Sequence, residues 1–197
     1  MRKIIVSEFL TLDGVMQAPG GPDEDRSGGF EHGGWQMQYN DDVFGKVIVE
    51  GISGASGFVL GRKTYEIFAG YWPTAPDEEQ AVREPLNSLP KYVASRTLHE
   101  PLEWNNSKLI TGDVAAELRK LKEQPGSHLL VIGSGVLAQT LMQHDLVDEY
   151  RLMIHPVVLG SGARLFRDGN GTRALTLVDA TTSATGVVMA TYRPAGS

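Results

Sequence analysis

The chain contains no cysteine in its 197 residues. That absence excludes disulfides, thiolate catalysis, zinc ribbons and iron–sulfur clusters, and it is compatible with any redox compartment. Long hydrophobic runs are missing as well; none approaches the roughly 18 residues that a membrane-spanning helix needs. Nor is there an excess of positive charge. The 18 Lys and Arg stand against 24 Asp and Glu, a net charge of −6, whereas a nucleic-acid surface needs a cationic field. Neither nucleic acid nor membrane is expected as a partner. His32, His99, His128, His144 and His155 are scattered, with no i, i+4 pair beside a glutamate, so no metal site is expected. Met1-Arg2-Lys3 is a basic tip, but Glu8 interrupts the apolar stretch behind it and Asp13-Gly14 follows at once. The start therefore reads as a first strand and not a signal peptide, and the cytoplasm is the expected location.

What is present is the composition of an ordinary globule, 41% hydrophobic and 21% charged. The length favours one domain over 1–197. Short apolar stretches separated by turn residues predict strands near 3–9, 57–60, 91–95, 108–111, 128–133, 148–158, 174–182 and 186–193. Helical segments fall between them. One runs over 41–52 behind an Asn40 cap, one over 63–68 after Gly61, and one over 77–89 after Pro76 with acids in its first turn. A fourth follows Asp113 as cap, with Val114, Leu118 and Leu121 on one face and Pro125-Gly126 as its stop. A fifth runs over 135–143. Strand–helix alternation through residue 158 predicts an α/β fold with a mostly parallel sheet covered on both faces. The last two strands, joined near Thr185-Gly186, predict an antiparallel hairpin on that sheet. Segment 17–40 is rich in glycine and lacks apolar periodicity, which predicts a structureless, mobile functional loop or a disordered insertion.

Three segments carry candidate chemistry. In Phe58-Val59-Leu60-Gly61-Arg62-Lys63-Thr64-Tyr65-Glu66 a buried strand ends in glycine, and two cations and a hydroxyl open a helix. Such a turn aims backbone N–H groups, a helix dipole and side-chain charge at one point, as an anion site does. In Leu129-Leu130-Val131-Ile132-Gly133-Ser134-Gly135-Val136-Leu137 a second buried strand meets a glycine turn and a helix. It is neither a Walker loop nor a G-x-G-x-x-G fingerprint, because no Lys-Ser/Thr follows and position 138 is Ala. The third, Lys91-Tyr92-Val93-Ala94-Ser95-Arg96-Thr97, puts a hydroxyl and a guanidinium at a strand end, a pair suited to a phosphomonoester. Each segment alone also has an ordinary reading, respectively a solvated basic helix start, tight strand–helix packing and a surface arginine.

In order and together, these segments resemble the dihydrofolate reductase fold, in the branch typified by the reductase domain of riboflavin biosynthesis (the RibD C-terminal domain). The resemblance covers nearly the whole chain. It starts at Ser7-Glu8-Phe9-Leu10-Thr11-Leu12-Asp13-Gly14-Val15 and continues through the Gly61, Ser95 and Gly133 segments. It ends with the strand Val147 to Gly160, carrying His155-Pro156-Val157-Val158-Leu159-Gly160, and the closing hairpin. It implies a three-layer fold and NADPH bound across the carboxyl edge of the sheet. It also implies Gly61, Arg62, Lys63 and Thr64 near the cofactor phosphates, and Ser95 with Arg96 facing the 2′-phosphate. Gly133, Ser134, Gly135, Val136 and Leu137 would cradle the pyrophosphate. Thr11 to Met16 would border the nicotinamide, with 17–40 as a lid.

The substrate half departs from both parents. The pterin-binding carboxylate of dihydrofolate reductases falls on Gly45 here, and their aromatic after the glycine turn on Ala138. The substrate-binding glutamate of the riboflavin-type reductases falls on Ile132, and no zinc-binding deaminase domain is present. The expected activity is hydride transfer from NADPH to a small pterin- or pyrimidine-like heterocycle, related to 5-amino-6-(5-phosphoribosylamino)uracil reduction. A non-catalytic NADP(H)-binding sensor on the same fold is the alternative. Asp13 is the catalytic candidate, beside its simpler reading as a turn initiator. Asp41, Asp42 and Glu50 are possible replacements for the missing proton donor. Trp35, Tyr39, Tyr71 and Trp72 are candidates for stacking on a flat ring, or for rim packing. The long apolar strand from Tyr150 to Leu159, taken as a sheet edge, predicts a homodimer.

Overall fold

The computed structural model describes residues 1–169 and 171–196. Eight strands form one sheet in the order β4-β3-β2-β5-β1-β6-β8-β7. They are β1 (Ile4–Thr11), β2 (Ala55–Gly61), β3 (Lys91–Ala94), β4 (Ser107–Ile110), β5 (His128–Ile132), β6 (Glu149–His155), β7 (Leu175–Thr182) and β8 (Val188–Pro194). The first six run parallel; β8 pairs antiparallel with β6, and β7 antiparallel with β8. The expected closing hairpin is therefore present.

Alternation along the strands divides two cores. Ile4, Val6, Val59, Leu129 and Val131 pack with Leu118 of α4 (Val114–Glu123) and with Leu137, Ala138 and Leu141 of α5 (Gly135–Gln143). Ile5, Phe58, Leu60 and Leu130 face the other way. They meet Ile52 of α1 (Asp42–Ser53), Tyr65 of α2 (Arg62–Tyr71) and Leu86 of α3 (Gln80–Ser88). Both faces are thus covered, as parallel strands with near-continuous apolar sequences require.

Local chemistry sets the helix ends. Asp113 caps α4, its carboxylate accepting from the Ala116 N–H at 3.0 Å, and Lys120 and Lys122 occupy the negative end. The cap of α1 is Asp41, not Asn40: its carboxylate accepts from the Phe44 N–H at 2.8 Å and from the Thr185 N–H at 3.0 Å. A carboxylate meets two amide donors where the Asn40 side chain, one residue too early, meets neither.

Two further expectations are corrected. Segment 17–40 is not structureless: it carries short 3₁₀ turns at Ser27–Gly29 and Met37–Tyr39. Ala18, Phe30 and Trp35 are buried with Val15 in a satellite core. The Trp35 indole donates to Gln17 O at 2.8 Å, and the Gln17 amide oxygen accepts from the Ala163 N–H at 3.0 Å. Isolated apolar anchors of this kind leave no period to read. The second correction concerns β6, which is no edge. It lies between β1 and β8, and the outer strands are β4 and β7.

Candidate functional site

Parallel strands send all their carboxyl ends to one edge of the sheet, where α/β proteins place their ligands. Register fixes what meets there. Gly61 lies opposite Ala94, Val59 opposite Val131, Ser7 opposite Ile132 and Thr11 opposite His155. Along that edge run Ser95-Arg96, Gly61 to Thr64, Gly133 to Leu137, Thr11 to Met16, and the segment after β6. The three candidate segments therefore converge.

The centre is a hydrogen-bonded junction of two helix starts. The Gly61 N–H donates to Ser134 Oγ at 2.9 Å, the Ser134 N–H donates to Thr64 Oγ1 at 2.9 Å, and Ser134 Oγ donates to Ile132 O at 3.0 Å. Gly133 and Ser134 both adopt left-handed backbone, with φ of 56° and 58°. At Gly133 a Cβ would come within 3.0 Å of Thr64 Oγ1, and at Gly135 within 3.0 Å of Met16 Sδ. Gly133 is favoured by its left-handed backbone as well as by this contact, whereas at Gly135 a side chain would need the flexible Met16 thioether to give by a few tenths of an ångström. In α5 the first backbone bond closes from the Ala138 N–H to Ser134 O. The N–H groups of Gly135, Val136 and Leu137 are left as the unpaired donors of a helix start. Val136 is exposed, while Leu137 anchors the turn in the core.

The cations differ in availability. The Arg96 guanidinium is exposed and has no hydrogen bond or ion pair to a described residue. Arg62 pairs with Glu66 at 2.9 Å on the solvent face of α2. Lys63 reaches Asp25 and Ser27 Oγ, each at 2.9 Å, tying the 17–40 segment to the start of α2. Ser95 is buried, its Oγ accepting from the Thr97 and Leu98 N–H groups at 3.1 and 3.0 Å. The Ser95 hydroxyl shapes the turn that presents Arg96.

Asp13 is a clamp. It accepts from Thr11 Oγ1 at 2.6 Å and from the Leu159 and Gly160 N–H groups at 3.2 and 2.9 Å, with Arg164 at 3.5 Å. The Thr11 hydroxyl, followed by the two amides, holds its pKa down to about 2, against an opposing effect of burial. An acid that strong is no proton donor near neutrality. The acids of α1 do not replace it. Asp41 is spent on its cap, Asp42 and Glu50 are exposed, and Glu50 lies 3.8 Å from Lys46. Tyr71 and Trp72 lie at the far end of α2, where the Tyr71 hydroxyl donates to Glu79 at 2.6 Å. Trp35 and Tyr39 instead pack against His155 with Phe9 and Phe44.

Three residues at this edge had little or no signal in the sequence. Arg167 brings a guanidinium nitrogen 4.0 Å from where a Gly135 Cβ would stand, a position set only by folding of the segment after β6. Glu8, visible as the one acid inside an apolar strand, is buried beneath the glycine turn. Its Oε1 has no partner among the described residues, and burial pushes its carboxyl well above the usual range against the pull of the Gly133 amide. Asp25, the partner of Lys63, sits in a stretch without any pattern.

The fold is that of the dihydrofolate reductases. A crystal structure from Shewanella sp. PV-4 superposes with a TM-score of 0.70 at 23% identity, covering 98% of each chain. Dihydrofolate reductase from Enterococcus faecalis, complexed with NADP(H), superposes with a TM-score of 0.62 at 13% identity, covering 98% of this chain and 96% of that one. At those identities the likeness is one of fold. Within this class, residues 2–189 match the RibD C-terminal domain, and the chain belongs to that family. The Bacillus subtilis (strain 168) protein YyaP is 32% identical over 193 residues, 97% of this chain and 94% of its own. Among the described residues no helix is long and apolar enough to cross a membrane.

Proposed function

We propose that this protein is an NADPH-dependent reductase that passes hydride to a small planar heterocycle of the pterin or pyrimidine kind. One observation carries the reading. Arg96, the Gly61–Thr64–Ser134 junction and the open amides of the α5 start share one edge. NADPH bound there supplies the hydride. Arg96 meets the 2′-phosphate, Arg62 and Thr64 lie at the phosphates, and residues 133–137 hold the pyrophosphate on the helix dipole. Lys63 joins them by exchanging Asp25 for phosphate oxygens. Asp13 keeps the turn after β1 against the Leu159–Gly160 amides, which fixes one wall of the nicotinamide position. The residues orient two reactants and exclude water, and the proton comes from solvent.

Titration of the purified protein with NADPH and NADH tests this. NADPH is expected to bind more tightly, and Arg96→Ala is expected to lose about 1.5–3 kcal/mol of that preference, roughly tenfold or more. Equal affinity for the two dinucleotides, or binding of neither, defeats the assignment.

A second reading, an NADP(H)-binding sensor without turnover, is favoured by one finding: Asp13, Asp41, Asp42 and Glu50 put no neutral acid into the cleft, and Glu8, whose carboxyl pKa burial raises, lies closed off beneath the glycine turn. Single-turnover oxidation of bound NADPH by pterins, flavins and pyrimidinones separates the two. The other expected partner is a second copy of the chain. We place that contact at β7, whose outer edge is unpaired and whose Leu177 and Val178 are exposed.

A further inference from the structure

His155 ends β6 with none of its surface exposed. Its Nδ1 lies 2.9 Å from Met153 O and 3.2 Å from Leu10 O. Two carbonyl oxygens are satisfied only by an N–H, so the hydrogen belongs on Nδ1 and Nε2 carries the lone pair. Four rings enclose the imidazole, with centroids 5.1 to 5.7 Å away: Phe9 of β1, Trp35 and Tyr39 of the 17–40 segment, and Phe44 of α1. Within that box Nε2 is buried and accepts from no described residue.

A buried acceptor without a donor is rare and calls for a use. A resident water is a poor answer, because a buried water keeps two to four polar partners. Phe9 and Phe44 offer none and the Trp35 indole N–H is spent on Gln17 O, which leaves the Tyr39 hydroxyl alone among the four rings. General acid chemistry is also a poor answer, since burial lowers the pKa of the ring and keeps it neutral. What remains is acceptance of a hydrogen bond. The location suits it: Thr11 and His155 are register partners at the ligand edge, and half-buried Phe9 is one wall of the box.

We propose that His155 is the specificity-determining contact of the substrate half, its Nε2 accepting from a ring N–H of a neutral planar heterocycle. For the heterocycle to take their place, Trp35 and Tyr39 must leave with the one segment that carries both, breaking the Trp35–Gln17 bond. Phe9 and Phe44 remain as the walls it stacks on. This assignment rests on the reductase reading, and it explains how recognition proceeds without a carboxylate at Gly45 or Ile132.

Lumazine, whose ring carries N–H groups, and its N,N-dimethyl form are titrated into NADPH-loaded protein. Wild type is expected to favour lumazine by about tenfold or more, because the methylated ring leaves Nε2 unpaired. His155→Phe keeps a ring and removes the acceptor, so the ratio should fall below about twofold. His155→Gln keeps an acceptor and should recover part of it. Equal binding of the two compounds by wild type, binding of neither, or an unchanged ratio in His155→Phe overturns the proposal. Should His155→Phe fail to fold, the wild-type ratio and His155→Gln still decide. Failure of NADPH to load is a different result and defeats the reductase reading instead.

Discussion

Asp13 illustrates how a single carboxylate keeps two readings open when only its neighbours in sequence are known. Asp-Gly at the end of a first strand is compatible with a catalytic acid and with a turn. Only the return of residues 157–160 to the same place supplies the amide donors that settle it. Because the folded pKa is near 2 and the ordinary value is 3.8, the ionised form is favoured in the fold. The resulting stability is fully present above about 3.8 and is lost as pH falls toward 2. Asp13→Asn is expected to cost about 2 kcal/mol in urea unfolding at pH 7, the scale of hydrogen bonds to a charged group. The deficit should shrink as the wild type is acidified. Glu8 is the opposite case. Its interruption of an apolar strand was plain in the sequence, but that its carboxyl lies under Gly133 depends on which face of β1 the helix α5 covers.

Elements were the most legible level. Each expected strand is present with its ends shifted by only a few residues, because buried parallel strands are short apolar runs with glycine or proline near their ends. The glycine turn before α5 was legible too, though not the reason for it. Gly133 combines φ of 56° with an approach of 3.0 Å to Thr64 Oγ1. Gly133→Ala is expected to lose about 1–2 kcal/mol from the left-handed backbone, and further stability from displacing Thr64. Gly28 supplies the control, since its φ is 68° and a Cβ there meets nothing within 4 Å. Gly28→Ala should show the backbone cost alone and leave NADPH titration unchanged, whereas Gly133→Ala should weaken it. What the sequence hid at this level was segment 17–40, whose order comes from isolated anchors and side-chain bonds to backbone.

Strand order is a property of the whole molecule, and nothing local encodes it. The apolar strand β6 suggested an edge, yet it is apolar because β1 and β8 flank it and both its faces are covered. The exposed edge belongs to β7, with Leu177 at 54% and Val178 at 45% exposure. Leu177→Lys is therefore expected to convert a dimer to a monomer in light scattering. A surface change of this kind should move the stability of the monomer by no more than about 0.5 kcal/mol. A monomeric wild type, or a dimer indifferent to the substitution, would place the contact elsewhere or remove it. The convergence of Arg96, Gly61 and Ser134 was legible only as a likeness of motifs in order; their meeting needs β3, β2 and β5 to be neighbours.

The place of β1 in that order bears on how the chain is made. Ile4 pairs with Leu129 on one side, and Ile5 with Glu149 on the other. β1, made before the other strands of the sheet, thus waits for β5 and β6 before either flank is filled. Such distant pairings slow folding, because the loops between them must close first. Until β5 and β6 are available, Ile4, Ile5 and Val6 lack the neighbours that bury them in the fold. Only after β6 has cleared the ribosome can this middle strand be enclosed on both sides.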